Sequence, residues 1–123
     1  MADISDLVGE TLVSVENHDN TEIVFTAISG KKWKLHHFQD CCEHVTVEDI
    51  TGDLDDLVGS PVLLAEEVTS REHPAGVEKE WQESFTWTFY KFATRKGYVD
   101  IRWYGESNGF YSERVSFSEC FGA

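Results

Sequence analysis

Tyrosine and arginine side chains recur through the last third of the chain, next to an Asn-Gly pair. Aromatic rings stack on planar ligands, arginine forks onto paired oxygens, and a glycine loop lets backbone amides approach a ligand. We therefore expect a site for a planar or phosphorylated small molecule, formed by Tyr90, Tyr98, Arg102, Tyr104, Asn108, Tyr111 and Arg114. The alternative is an ordinary sheet, in which Arg114 pairs with Asp100 and Asn108-Gly109 only turns the chain.

A second group of reactive side chains lies between residues 36 and 44. It comprises His36, His37, Cys41, Cys42 and His44. Structural zinc sites usually bring two separated pairs of ligands, whereas these side chains are crowded together, so we assign no metal and no cofactor. Buried thiols in a tight turn and a Cys-His nucleophile pair are alternatives, and metal binding by His37, Cys41, Cys42 and His44 stays open.

Acidic residues dominate the middle of the chain. Residues 40–67 contain nine acids and no lysine or arginine. A patch of Asp49, Asp53, Asp55 and Asp56 suits docking on a basic protein, including by imitation of DNA, while a solvated acidic surface is the plain alternative. The spacing does not match a calcium loop.

Composition limits the classes of function. The 123 residues have a net charge of -13, with 41% hydrophobic and 27% charged residues, which fits one globular domain over 1–123. Such a charge disfavours direct binding to nucleic acid, and no apolar run is long enough to span a membrane. Three cysteines, two of them adjacent, favour a reducing cytoplasm. Without a nucleophile-base pair, phosphate loop or convincing metal set, we expect no catalysis.

The charge and the rings are unevenly distributed. Residues 1–80 carry 18 acids and five bases, and residues 81–123 carry 13 of the 16 aromatic residues. Alternating apolar residues predict strands at 11–16, 22–28, 32–37, 45–50, 62–68, 85–94, 98–104 and 110–117. The last three should form an antiparallel aromatic meander within 81–123, with Phe85, Trp87 and Phe89 facing the core.

Two short helices are predicted beside these strands. One ends at Gly9, and the other runs from the capping residue Asp53 to Gly59. The fold class is therefore α+β, a mainly antiparallel sheet of seven to eight strands with two short helices. Its exposed strand edges need cover, which favours a homo-oligomer.

A tetrapeptide occurs twice, fifty residues apart. Asp-Leu-Val-Gly stands at 6–9 and again at 56–59, each time before an apolar strand. A repeated helix-turn-strand unit and a chance match reinforced by capping chemistry both explain it.

Longer motifs resemble a known family. His37-Phe38-Gln39-Asp40-Cys41-Cys42-Glu43, the 48–61 stretch with Gly-Asp-Leu at 52–54, and Thr-Trp-Thr-Phe-Tyr-Lys-Phe-Ala-Thr at 86–94 are similar to small acidic bacteriophage and prophage proteins of unknown function. The resemblance implies a cytoplasmic accessory or counter-defence factor.

Two binding functions then compete. The aromatic and arginine residues favour a protein that sequesters a small anionic, nucleotide-type signalling ligand without catalysis. The acidic residues favour an inhibitor of a basic host defence enzyme, possibly a DNA mimic.

Overall fold

Strands make up most of the chain. The computed structural model describes residues 2–39, 42–73, 84–109 and 111–120. Within them are eight strands: β1 (Leu12–His18), β2 (Glu22–Ala27), β3 (Lys32–His36), β4 (His44–Thr51), β5 (Leu64–Ser70), β6 (Ser84–Thr94), β7 (Gly97–Ser107) and β8 (Ser116–Cys120). No helix among the described residues has the length and apolar character needed to cross a membrane.

The prediction of two short helices, and with it the α+β class, is wrong. The two segments are four-residue 3₁₀ turns, Ile4–Leu7 and Leu54–Leu57, and the described part of the chain is otherwise built from antiparallel strands. Their hydrogen bonds join residues three apart, as in Asp6 N to Asp3 O at 2.8 Å. Each segment is too short for an α-helix, because a capping aspartate and a glycine of positive φ enclose it.

The strands form two four-stranded antiparallel sheets. Sheet 1 has the order β1-β2-β3-β8, and sheet 2 has the order β4-β7-β6-β5. The chain therefore builds three strands of sheet 1, crosses to sheet 2 for β4, builds the rest of sheet 2, and returns to sheet 1 for β8. We call the β3–β4 link the first crossover connection and the β7–β8 link the second crossover connection.

This topology is an internal repeat with exchanged fourth strands. Each half is a 3₁₀ turn, three consecutive strands and a fourth strand given to the other half's sheet. The two Asp-Leu-Val-Gly motifs make reciprocal bonds: Gly9 N donates to Val62 O at 2.8 Å, and Gly59 N donates to Leu12 O at 2.9 Å. Both glycines have φ of 89°, a value that disfavours a side chain. The repeated-unit interpretation is therefore supported, since equivalent residues make equivalent contacts.

Both sheets contribute to one hydrophobic core. Phe25 of β2 contacts Phe92 of β6 across the sheets, with ring centroids 5.4 Å apart, and Phe117 of β8 lies 6.2 Å from Phe25. Leu7 of the first 3₁₀ turn and Leu57 of the second, the leucines of the two motifs, are fully buried in the same core. Packing of these rings and leucines stabilises both sheets together.

The prediction of an aromatic meander is confirmed only for its first two strands. β6 and β7 form a hairpin with Thr94 opposite Gly97, but β8 pairs with β3 in the other sheet. Asp100 consequently lies opposite Lys91 and Thr51 rather than Arg114. The second crossover connection is too long for a hairpin turn, and sequence alternation alone does not choose the sheet that a strand joins.

The assignment of the β6 faces is also wrong. Tyr90 and Phe92 lie opposite Ile101 and Val99 of β7 and point into the core with them. Trp87 therefore lies on the outer face of sheet 2. Rings occur at both odd and even positions of β6, so period-two alternation does not specify which face is buried.

Candidate functional site

The seven residues predicted to bind a ligand divide between two surfaces. Tyr98, Arg102 and Tyr104 lie on the outer face of sheet 2, while Asn108, Tyr111 and Arg114 lie in the second crossover connection. Tyr90 points inward and is 1% exposed. The sequence predicted one shared surface because the last strand was paired with β7 and because the two faces of β6 were assigned the wrong way round.

The outer face of sheet 2 carries a packed aromatic cluster. Trp87 is fully buried there, 4.7 Å from Tyr104 between ring centroids. Its indole Nε1 donates to Nδ1 of His73 at 3.1 Å, and the His73 ring stacks on Phe85 at 4.1 Å. Burial, and then the hydrogen bond to Glu106, raises the pKa of Tyr104. These rings pack on one another, so they stabilise β6 and β7 rather than offering an open stacking surface.

Arg102 is held in place on the same face. Its Nε lies 2.5 Å from Oε2 of Glu48, and its guanidinium carbon lies 5.2 Å from the Trp87 ring centroid. Cation–π contact and an ion pair together fix the side chain. Tyr98, at the turn end of β7, is 70% exposed.

A shallow hollow of about 380 Å³ lies on this outer face. Phe89 and Val68 provide its apolar surface, and Lys91 and Arg102 its cations. Its carboxylates are Asp49, Glu66 and Asp100. Acids outnumber bases, so the hollow suits cationic groups better than anionic ones.

The remaining acidic residues of the predicted patch belong to the second 3₁₀ turn and make hydrogen bonds that stabilise it. Asp53 caps the second 3₁₀ turn by accepting from Asp55 N at 2.9 Å. The backbone carbonyl of Asp56 accepts from the Thr94 hydroxyl at 2.5 Å. Asp53 and Asp55 are nevertheless exposed, whereas Asp49 lies on β4 at the outer hollow.

A larger cleft of about 720 Å³ opens where the second crossover connection passes β5 and β6. Arg71 and Arg114 provide its positive charge, and Glu67 and Glu113 its negative charge. Tyr111 also lines it. The rest of its polar surface is mostly hydroxyl, from Thr69, Ser70, Ser84, Thr86, Thr88 and Ser112. Arg71 is exposed and makes no ion pair or hydrogen bond with any described residue through its guanidinium. We call this site the crossover cleft.

The Tyr90 hydroxyl is buried beside residues of the crossover cleft. It makes no hydrogen bond of regular geometry with a described residue. Burial and then the neighbouring Glu67 raise the pKa of Tyr90, while the positive charge of Arg114 opposes the shift. A buried hydroxyl between a carboxylate and a guanidinium can still donate or accept one hydrogen bond.

The wall of the cleft is held by Glu113, which is 8% exposed. Its Oε1 accepts from the Thr86 hydroxyl at 2.8 Å, and its Oε2 accepts from the Ser107 hydroxyl at 2.6 Å. A Cβ on Gly105 would lie 3.0 Å from both the Glu113 carbonyl oxygen and Cγ2 of Val45. Glycine is therefore needed at position 105 for the second crossover connection to pack this closely on β7.

His37 joins the two crossover connections. Its Nδ1 lies 2.7 Å from the carbonyl oxygen of Arg114, and its Nε2 lies 2.9 Å from Oε1 of Glu43. The side chains of His37 and Glu43 are 5% and 0% exposed. A carbonyl only accepts, so Nδ1 carries a hydrogen, and one further proton is shared between Nε2 and the Glu43 carboxylate. We call this pair, with its bond to Arg114, the His37 latch.

The latch uses residues that the sequence suggested as metal ligands. Both ring nitrogens of His37 face protein oxygens, and Cys42 is disulfide-bonded. His44 is exposed at the start of β4, and Cys41 lies outside the described residues. The described part of the chain holds no group of three histidine, cysteine or acidic side chains placed to bind a metal ion.

Sequence reasoning missed Arg71, Glu67, Glu113 and the role of His37. Arg71 lies in a charged stretch that contains no recognisable binding motif. Glu113 lies in a stretch that was predicted to be a strand. Only the crossing of β8 to sheet 1 brings the second crossover connection against β5 and β6. The sequence offered one indication of these residues: Glu113 is an acid within a segment, 107–118, that is rich in hydroxyl and aromatic side chains.

These features define an internally duplicated all-β protein with two sheets around one core and a polar cleft beside a crossover connection. The chain belongs to a family described as a domain of unknown function, DUF7448, whose model matches residues 5–117. The expected resemblance to an uncharacterised family is thereby confirmed at that level. No curated protein and no solved structure matches the chain.

Proposed function

We propose that this protein captures a small anionic, nucleotide-type ligand in the crossover cleft and does not transform it. The observation that carries the proposal is the lining of the cleft: two arginines and a belt of hydroxyls in a space of about 720 Å³. Ligand sites for small molecules commonly measure about 300–1,000 Å³, so a nucleotide fits.

The lining matches the parts of a nucleotide. Arg71 and Arg114 offer forked N–H donors to phosphate oxygens, and Arg71 forms no ion pair with a described carboxylate, although Glu67 and Glu113 line the same cleft. Thr69, Thr88 and Ser84 offer hydroxyls to a ribose, and Tyr111 offers a ring for a base. Three residues of the sequence-derived site, Tyr90, Tyr111 and Arg114, thus lie in or beside this cleft.

The net charge of -13 opposes an anion at long range. Salt at physiological strength screens such repulsion beyond about 8 Å. Within the cleft, Glu113 already accepts two hydroxyl bonds, which reduces its repulsion of a phosphate. Local arginine contacts then decide the affinity.

We expect capture without chemistry, and the contacts of the titratable groups near the cleft support that expectation. Both oxygens of Glu113 accept hydrogen bonds, and both ring nitrogens of His37 face oxygens. The Thr86 and Ser107 hydroxyls donate to Glu113, and neither of them contacts His37, so among the described residues no hydroxyl and histidine form a nucleophile-base pair at the cleft.

The biological setting is part of the same proposal. We infer a bacteriophage-encoded, homo-oligomeric protein that works in the host cytoplasm and removes a nucleotide signal of a defence system. The sequence resemblance and the acidic composition support this setting.

Native mass spectrometry of protein purified from its host, followed by titration calorimetry with cyclic and linear nucleotides, tests the capture. We expect a stoichiometric adduct that is released intact on unfolding. Arg71→Ala should abolish binding, and Arg102→Ala, the matched arginine on the outer face, should not. Equal loss in both variants, or a product that differs from the added nucleotide, would overturn the proposal.

A second candidate function is an acidic inhibitor of a basic host protein, including a DNA mimic. The outer hollow favours it, because Asp49, Asp100 and Glu66 surround one apolar surface. Asp49→Lys with Asp100→Lys should abolish inhibition of a host nuclease while nucleotide binding persists. Inhibition that survives this reversal would exclude the outer hollow as the docking surface.

A further inference from the structure

β5 is an edge strand with free faces. It pairs only with β6, at one end of sheet 2. Residues 66–69 are all exposed, although they alternate between the two faces of the sheet. Glu66 and Val68 border the outer hollow, and Glu67 and Thr69 line the crossover cleft. The middle of β5 is thus uncovered on both faces.

The outward backbone edge of β5 is also unpaired. Apart from the ladder to β6, no backbone or side-chain hydrogen bond from any described residue reaches the main chain of 66–69. Alternate N–H and C=O groups of a strand point to opposite sides, so half of those in this stretch face away from β6. These groups can accept one further strand.

The three other edges of the two sheets are less suited to strand addition. β1 is interrupted by a bulge between Leu12 and Ser14, and β4 by one between Val47 and Asp49. β8 is only five residues long. β5 has seven residues in regular register and contains no proline or lysine, the usual protections of an edge. A regular edge strand is a template on which proteins bind extended peptides, and on β5 the charges of Glu66 and Glu67 restrict which strand can pair.

Charge selects the occupant of this edge. Glu66 and Glu67 are adjacent and exposed, one on each face. A second copy of β5 in antiparallel pairing would place acids near acids, which is unfavourable. A strand that carries lysine or arginine would instead form opposite-charge pairs, and a protein of net charge -13 attracts it at long range.

We propose that the outward edge of β5 binds an extended, lysine- or arginine-bearing segment of a partner protein by strand addition. The backbone bonds supply the attachment, and Glu66 selects a cationic side chain on the outer face. This interaction uses the backbone edge of β5 and Glu66 on its outer face, whereas nucleotide capture uses the other face of β5, where Glu67 and Thr69 line the crossover cleft.

A seven-residue probe peptide, Thr-Lys-Val-Lys-Val-Lys-Thr with blocked ends, tests the proposal by fluorescence anisotropy and amide hydrogen exchange. We expect saturable binding and slower exchange of alternate amides within 66–69. Glu66→Lys should weaken binding by about tenfold, since it turns an attractive cross-strand pair into a repulsive one. Glu16 is exposed on β1, in the other sheet. Glu16→Lys changes the net charge by the same amount and should reduce peptide binding much less.

Two outcomes would overturn the proposal. A fully N-methylated peptide keeps the lysine charges but lacks backbone donors, so equal binding of that peptide would show mere charge attraction. Concentration-dependent dimerisation of the protein with exchange protection at 66–69 would assign the edge to a second copy. Arg71→Ala should leave peptide binding intact, so failure of strand addition and failure of nucleotide capture are observed separately.

Discussion

Replacement of His37 by leucine should destabilise the protein by removing the histidine that contacts the buried Glu43 carboxylate. The Glu43 side chain is 0% exposed, so water cannot replace the lost contact without rearrangement. Removing one member of a buried pair costs about 3–5 kcal/mol. The Arg114 carbonyl also loses its hydrogen bond from His37, and the free-energy cost of that loss is included in the same estimate of about 3–5 kcal/mol.

This cost is a large part of the stability of a domain. Single domains unfold with about 5–15 kcal/mol, and urea lowers that by about 1–3 kcal/mol per molar. His37→Leu should therefore lower the urea midpoint by about 2 M. Because the latch holds Arg114, the variant should also weaken nucleotide binding under conditions in which it remains folded.

A double-mutant cycle separates the pair from general effects of the substitution. Glu43→Leu alone should cost nearly as much as His37→Leu, and the double variant should be less destabilised than the sum of the two by about 1–3 kcal/mol. The assay is urea unfolding followed by tryptophan fluorescence at neutral pH. A single-variant cost below about 1 kcal/mol, or additivity within about 0.5 kcal/mol, would refute the latch.

Three further predictions concern packing and protonation. Gly105→Ala should cost about 1–3 kcal/mol, because a Cβ would lie 3.0 Å from the Glu113 carbonyl oxygen; an unchanged urea midpoint would contradict this close approach. Phe25→Ala and Phe92→Ala should each cost about 3–5 kcal/mol and should not be additive, since the two rings are 5.4 Å apart; calorimetric unfolding of the double variant measures the coupling. Burial, and then the charge of Lys34, lowers the pKa of His36, so the neutral ring is favoured in the folded state. Stability from His36 should be complete above about pH 6.5 and should fall as the pH drops from there toward the folded-state pKa, and unfolding of His36→Gln at pH 7.5 and 5.5 should show a smaller pH effect than the parent protein.

The predictable part of the fold is the local part. Apolar alternation located β1 to β7 approximately, because each position in a half-buried strand faces either the core or water. The eighth strand, predicted at 110–117, is instead Ser116–Cys120. Alternation did not identify the buried face where both faces of a strand carry apolar residues. β6 carries rings on both faces, and Trp87 is buried on the outer face by His73, Phe85 and Tyr104. Capping aspartates and glycines located the two turns, but the choice between one 3₁₀ turn and an α-helix depended on the few residues between them.

The predictable part of the site is its chemistry. Tyrosine, arginine and an Asn-Gly loop predicted a ligand surface, which stays a prediction. Tyr111 and Arg114 line the crossover cleft and Tyr90 lies near Glu67 and Arg114, whereas Tyr98, Arg102 and Tyr104 lie on the outer face of sheet 2. Arg71 and Glu67 were not identified, because they come from β5 and its end, more than forty residues earlier in the chain. Their proximity to Arg114 arises from strand order, which short-range patterns do not encode.

Local sequence patterns indicated seven of the eight strands, the positions of the two 3₁₀ turns, the acidic charge and the repeated Asp-Leu-Val-Gly motif, since each depends on residues close together in the chain. The tertiary structure alone decided the partners of the fourth strands. β4 and β8 are exchanged between the halves, and this exchange brings the two crossover connections together at His37 and forms the cleft at Arg114. The physical reason is that strand pairing is selected by the free energy of the whole core, in which both sheets must bury their inner faces against each other.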